Sequence, residues 1–314
     1  MKRRTLREYL LLFSKGVGMG AADVVPGVSG GTIAFITGIY EELLGSIRSV
    51  NGEALKLLLR FNLKGFWRHI NGNFLVVLLA GIGLSFASLS RLILYLLANF
   101  PEMLWSFFFG LIVASALVVG KKISRWTLGV LLAGLAGVAI AFYITVATPG
   151  FTPEAYWFIF MSGAIAICAM ILPGISGSFI LVLLAKYEFI MLSLKELRLD
   201  VIAVFGLGCV TGILAFSHVL NFMLKRFHNV TVALLTGFMV GSLNKVWPWK
   251  ETIETYTDRH GEVKPLVQEN VLPGNYEAIT GQEPYLLYGV VLAIFGFLLV
   301  YLIDRFTDDS TTQV

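Results

Sequence analysis

The sequence predicts an all-α polytopic membrane protein made of two inverted-topology repeats, each a re-entrant helical hairpin followed by three transmembrane helices. Three observations carry that expectation. The 314 residues are 57% hydrophobic and 13% aromatic but only 14% charged, with a mean hydropathy of +0.79, a balance foreign to water-soluble domains. One helix-breaking motif occurs twice, as Val25-Pro26-Gly27-Val28-Ser29-Gly30-Gly31-Thr32 and as Leu172-Pro173-Gly174-Ile175-Ser176-Gly177-Ser178. The residues around the two copies also match one another at a constant spacing.

The elements follow in chain order. Met1-Lys2-Arg3-Arg4 is basic, and Lys15 interrupts the apolar run behind it with no Ala-x-Ala-like site, so the start reads as an amphipathic segment on the cytoplasmic surface rather than a cleaved signal. Residues 16–44 and 156–194 are apolar but too long and too broken for single spans, and they contain the motifs. Apolar runs at 74–97, 103–119, 126–146, 201–224, 231–246 and 285–303 are each near the length that crosses a bilayer. The first repeat takes residues 1–148 and the second 155–306, with a polar extracytoplasmic loop at 247–284 long enough for a small lid. Within that loop Asp258-Arg259-His260-Gly261 marks a turn.

Charge placement favours hairpins. If each motif segment enters and leaves on one side, Lys2, Arg3, Arg4, Arg7, Lys121, Lys122, Arg125, Lys225, Arg226 and the basic residues between Arg48 and Arg68 share a face, which the positive-inside rule makes cytoplasmic, together with both termini. Charge sees only the parity of crossings, so two tilted full spans per hairpin fit the same count. The net charge of +4 is ordinary for such a protein and includes no separate basic domain for nucleic acid. Cys168 and Cys209 lie in apolar segments, with neither disulfide nor metal-ligand spacing. No cofactor or metal is implied, and oligomeric state is open.

At one spacing Gly16 meets Gly163, Ala22 meets Ala169, Pro26-Gly27 meets Pro173-Gly174, Ser29-Gly30 meets Ser176-Gly177 and Tyr40-Glu41 meets Tyr187-Glu188. At a second, shorter spacing Gly81 meets Gly208, Ser90 meets Ser217, Arg91 meets His218, Gly110 meets Gly237 and Ser115 meets Ser242. Three crossings are an odd number, so the second copy would start on the opposite face. The hairpins would then approach from opposite leaflets and bring their broken tips together near the midplane. An arm from Gly16 to Val25 reaches roughly 15 Å, about half the hydrocarbon thickness.

Proline removes a backbone donor and glycine relaxes the main chain, and in hydrocarbon such a break survives only where protein buries it or a polar cavity meets it. Amides at helix starts near Ser29 and Ser176 are expected to suit an anion. Gly27, Gly30, Gly31, Gly174 and Gly177 would let a ligand oxygen approach the backbone, while Ser29, Thr32, Ser176 and Ser178 would donate to it or cap the helices. Arg91, beside Ser88 and Ser90, is expected to face the interior, because a charge in lipid costs about 2.5 kcal/mol or more. An anionic partner such as phosphate fits its fork of donors; pairing with Asp23 and snorkelling are the alternatives. His218 reads equally as a phosphate contact, a proton relay or a core histidine. Asp23 is matched by Met170 in the second copy, an asymmetry that suggests coupling to a proton or sodium ion. Glu41 and Glu188, roughly 18 Å beyond the breaks, are further coupling candidates or solvated helix ends, and Tyr40 and Tyr187 read as interfacial anchors.

At these motifs the chain resembles the bacterial polyprenyl-phosphate transporter family over almost its whole length. That resemblance implies movement of undecaprenyl phosphate, the lipid carrier of cell-wall synthesis, from the outer to the inner leaflet of the cytoplasmic membrane for reuse. The residues alone imply only an anion transporter. An undecaprenyl-diphosphate phosphatase is the runner-up, but its Pro-Gly-x-Ser-Arg-Ser arginine is replaced here by Gly30 and Gly177, and no Glu-x-x-x-Glu pair accompanies the motif. A small-anion channel or exchanger is the third reading.

Overall fold

A computed structural model describes residues 4–25, 28–148, 152–257 and 263–311. The first half begins with α1 (Leu6–Val24), α2 (Gly30–Ile36) and α3 (Tyr40–Arg48). Short helices α4 (Gly52–Leu59) and α5 (Leu63–His69) lead to the long α6 (Gly72–Asn99), α7 (Pro101–Gly120) and α8 (Leu128–Val146). The second half runs α9 (Tyr156–Ile171), α10 (Gly177–Leu183), α11 (Tyr187–Lys195), α12 (Leu199–Arg226) and α13 (His228–Ser242). Strands β1 (Lys250–Thr257) and β2 (Val263–Asn270), helix α14 (Pro273–Thr280) and α15 (Leu286–Thr311) complete it.

Among the described residues five helices, α6, α7, α8, α12 and the stretch Leu286–Arg305 of α15, are long and apolar enough to cross a bilayer, with the bent pair α10 and α11 a sixth candidate if it is one span, and the chain is a multi-pass membrane protein. The sixth expected span, at 231–246, is not one of them: α13 has 15 residues, roughly 22 Å against a hydrocarbon core of about 30 Å. It compensates by burial, packing between α7 and α8 with nine of its residues covered. The all-α expectation also needs correction. The polar loop folds into an antiparallel β-hairpin in which Lys250 pairs with Asn270 and Glu251 with Glu269. The segment 258–262, where a turn was expected, lies outside the described residues.

The long helices pair through glycines, as expected where lipid offers no hydrophobic drive and close backbone approach must supply the attraction. A Cβ on Gly16 would sit 2.4 Å from the Leu78 carbonyl oxygen, and one on Gly81 2.3 Å from that of Phe13, so α1 and α6 touch backbone to backbone. The α9–α12 pair repeats this arrangement: a Cβ on Gly163 would meet the Phe205 oxygen at 2.4 Å. Helix α15 packs on α7 at Gly110 and Gly296, and α13 on α8 at Gly137 and Gly237.

In both halves the chain folds back after its motif. Gly30 lies beside Asp23, Ile33 beside Gly18 and Thr37 beside Lys15, so α2 runs antiparallel along α1. Gly177 likewise returns to Ala166, and α10 then meets α11 at a 107° bend. The polar module is fixed to the end of the bundle at the α6–α7 turn. Tyr276 donates to Glu102 at 2.5 Å, and Trp249 donates to the Pro284 carbonyl at 2.7 Å.

Candidate functional site at the paired helix breaks

Each helix that stops at a break leaves its last carbonyls and the next helix's first amides without helical partners. At the first break these groups are closed locally. Asp23 on α1 accepts from the Gly30 amide at 2.7 Å, and the Ser29 hydroxyl accepts from the Gly31 amide at 3.1 Å. The far end of α2 is capped as well, since Lys15 donates to the Thr37 carbonyl at 2.7 Å. All seven residues of α2 are buried.

The second break is closed from across the interface. Ser29 donates to the Met170 carbonyl at 2.9 Å, and Tyr40 donates to that of Ile171 at 3.1 Å. Thr32 accepts from the Gly174 amide at 3.1 Å. Three side chains of the first hairpin therefore satisfy three backbone groups of the second, and a Cβ on Gly31 would lie 2.3 Å from the Ile171 oxygen. Gly174 takes φ +84°, a left-handed conformation, and a Cβ there would lie 2.8 Å from the α13 backbone at Phe238, so glycine is required there twice over. The motif copies thus meet directly, although they are more than a hundred residues apart in the chain.

The help is not returned. The Ser176 side chain accepts from no backbone amide; its hydroxyl pairs with that of Ser178 at 2.8 Å, and α10 has no side-chain cap. Met170, which stands where the first half has Asp23, has no carboxylate to offer. Beside this uncapped tip is a cleft lined by Thr145 on α8, by Gly174, Ser176 and Phe179, and by Ser242 and Lys245. Its free volume is about 10 Å³, room for one water. The Lys245 ammonium lies 4.5 Å from the Phe179 ring centre, and the next cation, Lys250, donates to the Lys245 carbonyl and lies 4.6 Å over Trp105. Burial, with Lys245 nearby, pulls the Lys250 ammonium down to about 7. Among the described residues neither lysine has a carboxylate partner. No motif marks Lys245 in the sequence; its one signal is position, three residues past Ser242, itself the mate of Ser115.

The other expected site residues are distributed unevenly. Gly27 lies outside the described residues. Arg91 does not face the interior: it shares an exposed face of α6 with Leu84, Ser88 and Tyr95. The reason is packing. Helix α3 of the first hairpin lies on α12, but α11 of the second makes no comparable approach to α6, so the face carrying Arg91 is left uncovered. His218 is exposed too, in a groove beside Arg48 rather than at the breaks. Asp23 is committed to the Gly30 amide rather than paired with Arg91. Glu41 is exposed and Glu188 half-buried on the outer helices, and Tyr40 is no interfacial anchor, being 3% exposed at the centre of the contact.

This arrangement can be set beside known proteins. Residues 19–264 match a family described as undecaprenyl phosphate translocase-like. The chain belongs to that family. A relative from Vibrio cholerae serotype O1 (strain ATCC 39315 / El Tor Inaba N16961), named polyprenyl-phosphate transporter, is 47% identical over 301 residues, covering 96% of this chain and 98% of the relative. One of the same name from Staphylococcus aureus (strain NCTC 8325 / PS 47) is 34% identical over 255 residues, covering 74% of this chain and 84% of its own length. No solved structure matches. The translocase-like family match takes in both breaks, the stapled contact between them and Lys245.

Proposed function

We propose that the chain carries a polyprenyl phosphate across the bacterial cytoplasmic membrane, from the outer to the inner leaflet, returning the lipid carrier used in cell-wall synthesis. The observation that carries this reading is the contact of two helix breaks inside a multi-pass bundle, with the first tip capped by Asp23 and Ser29 and the second keeping two hydroxyls, paired only with each other, beside a cation that has no carboxylate partner among the described residues. A phosphate needs such donors and a positive charge; its prenyl tail needs only lipid.

In this reading the two halves are inverted copies, each with its hairpin entering from its own leaflet. Support comes from the matched helix pairs α1–α6 with α9–α12, and α8–α13 with α7–α15. The structure corresponds to a state closed at the first hairpin and loose at the second. The phosphate is held at Gly174, Ser176, Gly177, Ser178 and Lys245, and reaches them past Arg91 on the uncovered face of α6. Because the cleft now has room for about one water, the second hairpin moves outward to admit the headgroup. Exchange of the loose and closed roles between the hairpins then presents the phosphate to the other leaflet. Asp23 serves this cycle as the cap that keeps the first tip rigid.

The test is leaflet-to-leaflet transfer of a polyprenyl phosphate in proteoliposomes. Wild-type protein is expected to accelerate transfer, with Lys245→Met and Arg91→Ala each slowing it at least about tenfold, the loss of one charge-assisted contact. Release of inorganic phosphate without transfer would overturn the reading. Imposing proton or sodium gradients on the same vesicles reads coupling directly.

A further inference from the structure

A groove of about 460 Å³ opens where the end of α3 lies against the last turns of α12, lined by Arg48, His218, Asn221, Phe222, Lys225 and Arg226. We propose that it is a docking site for the phosphomonoester headgroup of a lipid at the basic face of the membrane, separate from the breaks. The proposal rests on the reading of the chain as a lipid-phosphate transporter and adds the place where the lipid waits before or after crossing.

Three of the six lining side chains are cations and none is a carboxylate. Among the described residues Arg48, Lys225 and Arg226 form no ion pair, the one at hand being Arg4 with Glu42. Like charges gathered without counter-charges are held apart only by water or by an anion. The remaining polar linings leave room for an occupant. Asn221 brings an amide donor, and His218 Nδ1 donates to the Leu214 carbonyl at 2.8 Å, because a carbonyl only accepts, so Nε2 is the His218 nitrogen not used within α12.

The apolar wall decides between a free anion and a lipid. Phe222 is 61% exposed and is backed edge-on by Phe227 at 6.2 Å. Inorganic phosphate has no use for that surface, whereas the first isoprene units of a polyprenyl chain do. Position agrees. Helix α12 has 28 residues, about 42 Å, and His218 to Arg226 takes its last ~12 Å, the depth of headgroups rather than of acyl chains. The cations are also specific to this end of the molecule. At the spacing that matches Ser90 with Ser217, α6 carries Tyr95, Ala98 and Asn99 where α12 has Phe222, Lys225 and Arg226. Because Arg48 belongs to α3 and the rest to α12, an occupant bridges the first hairpin to the opposite half.

The experiment uses the full chain in phosphatidylcholine nanodiscs with a photoreactive short-chain polyprenyl phosphate. Cross-links are expected at the end of α12, displaced by unlabelled polyprenyl phosphate but not by a hundredfold excess of inorganic phosphate or phosphatidylglycerol. The Arg48→Gln/Lys225→Gln/Arg226→Gln variant should lower labelling at least about tenfold, and Arg48→Lys/Arg226→Lys should retain most of it, separating charge from folding. Equal displacement by phosphatidylglycerol, or by inorganic phosphate, overturns the proposal, as does unchanged labelling of the Gln variant. If wild-type protein shows the labelling but never transfers lipid in proteoliposomes, the transport reading fails while the docking site stands.

Discussion

The two hairpins carry nearly the same motif and stand in different conditions. In the first, α2 is buried along its whole length; in the second, only Gly177 and Ile180 of the seven α10 residues are buried. Ser29 caps its own helix and reaches across to the partner break, whereas Ser176 bonds only Ser178. Asp23 closes the first tip, and Met170 cannot close the second. Two copies of one motif have thus divided their labour: one is a wall that satisfies the other's backbone, and the other pairs its two hydroxyls with each other and caps no helix.

The strongest way to break this comparison is to force the copies apart. Gly31→Ala places a methyl 2.3 Å from the Ile171 oxygen, a backbone atom fixed by Tyr40, and should cost about 3 kcal/mol by overpacking. Gly45→Ala, with nothing within 4 Å, is the control on the same hairpin. Thermal unfolding in detergent reads both. Similar midpoints would show that the contact between the breaks does not hold the structure together.

Next come the serines. Ser29→Ala strands the Met170 carbonyl and the Gly31 amide in a fully buried place, for about 2 kcal/mol of stability. Ser176→Ala should leave stability within about 0.5 kcal/mol yet slow lipid transfer about tenfold, the worth of one hydrogen bond to a charged ligand. The same ranking by stability and by transfer would erase the division of labour. Asp23→Asn tests the wall from the other side. Asparagine keeps an acceptor for the Gly30 amide, so about 1 kcal/mol is lost with the charge, and any response of lipid transfer to an imposed ion gradient should match that of wild type. A variant of wild-type stability that no longer responds to any ion gradient would make Asp23 a coupling group instead of a cap.

Much of this was legible in the sequence, and what was not has a physical reason. Periodicity and composition placed the long helices because lipid admits few alternatives, and the Pro-Gly breaks announced the folding back of α2 and α10. The 231–246 run was read as a span because a run of apolar residues looks the same whether lipid or protein covers it. Arg91 was expected inside on the general cost of charge in lipid, a rule blind to which helices pack over that face of α6. Lys245 was missed since its place beside Ser176 depends on the end of α13 reaching the second break, a juxtaposition of distant segments. Tyr40 was misread for the opposite reason: tyrosine near a helix start resembles an interfacial anchor until the partner carbonyl is seen.

Tyr40 also offers the finest test. Its ring packs on Phe35 at 4.9 Å and its hydroxyl is the donor to the Ile171 carbonyl. Tyr40→Phe keeps the ring, the volume and the burial and removes one oxygen, so the loss should be about 1 kcal/mol, a single hydrogen bond with a carbonyl left unpaired. Tyr187, its mate in the second hairpin, is 38% exposed, and Tyr187→Phe should leave the unfolding midpoint where it was. Both substitutions delete the same atom from the same type of residue at matched positions, so propensity and hydrophobicity cancel between them. Any difference that remains measures the help given by the first hairpin to the second. If the two variants unfold alike, the bond between Tyr40 and Ile171 contributes nothing and the asymmetry is one of packing alone.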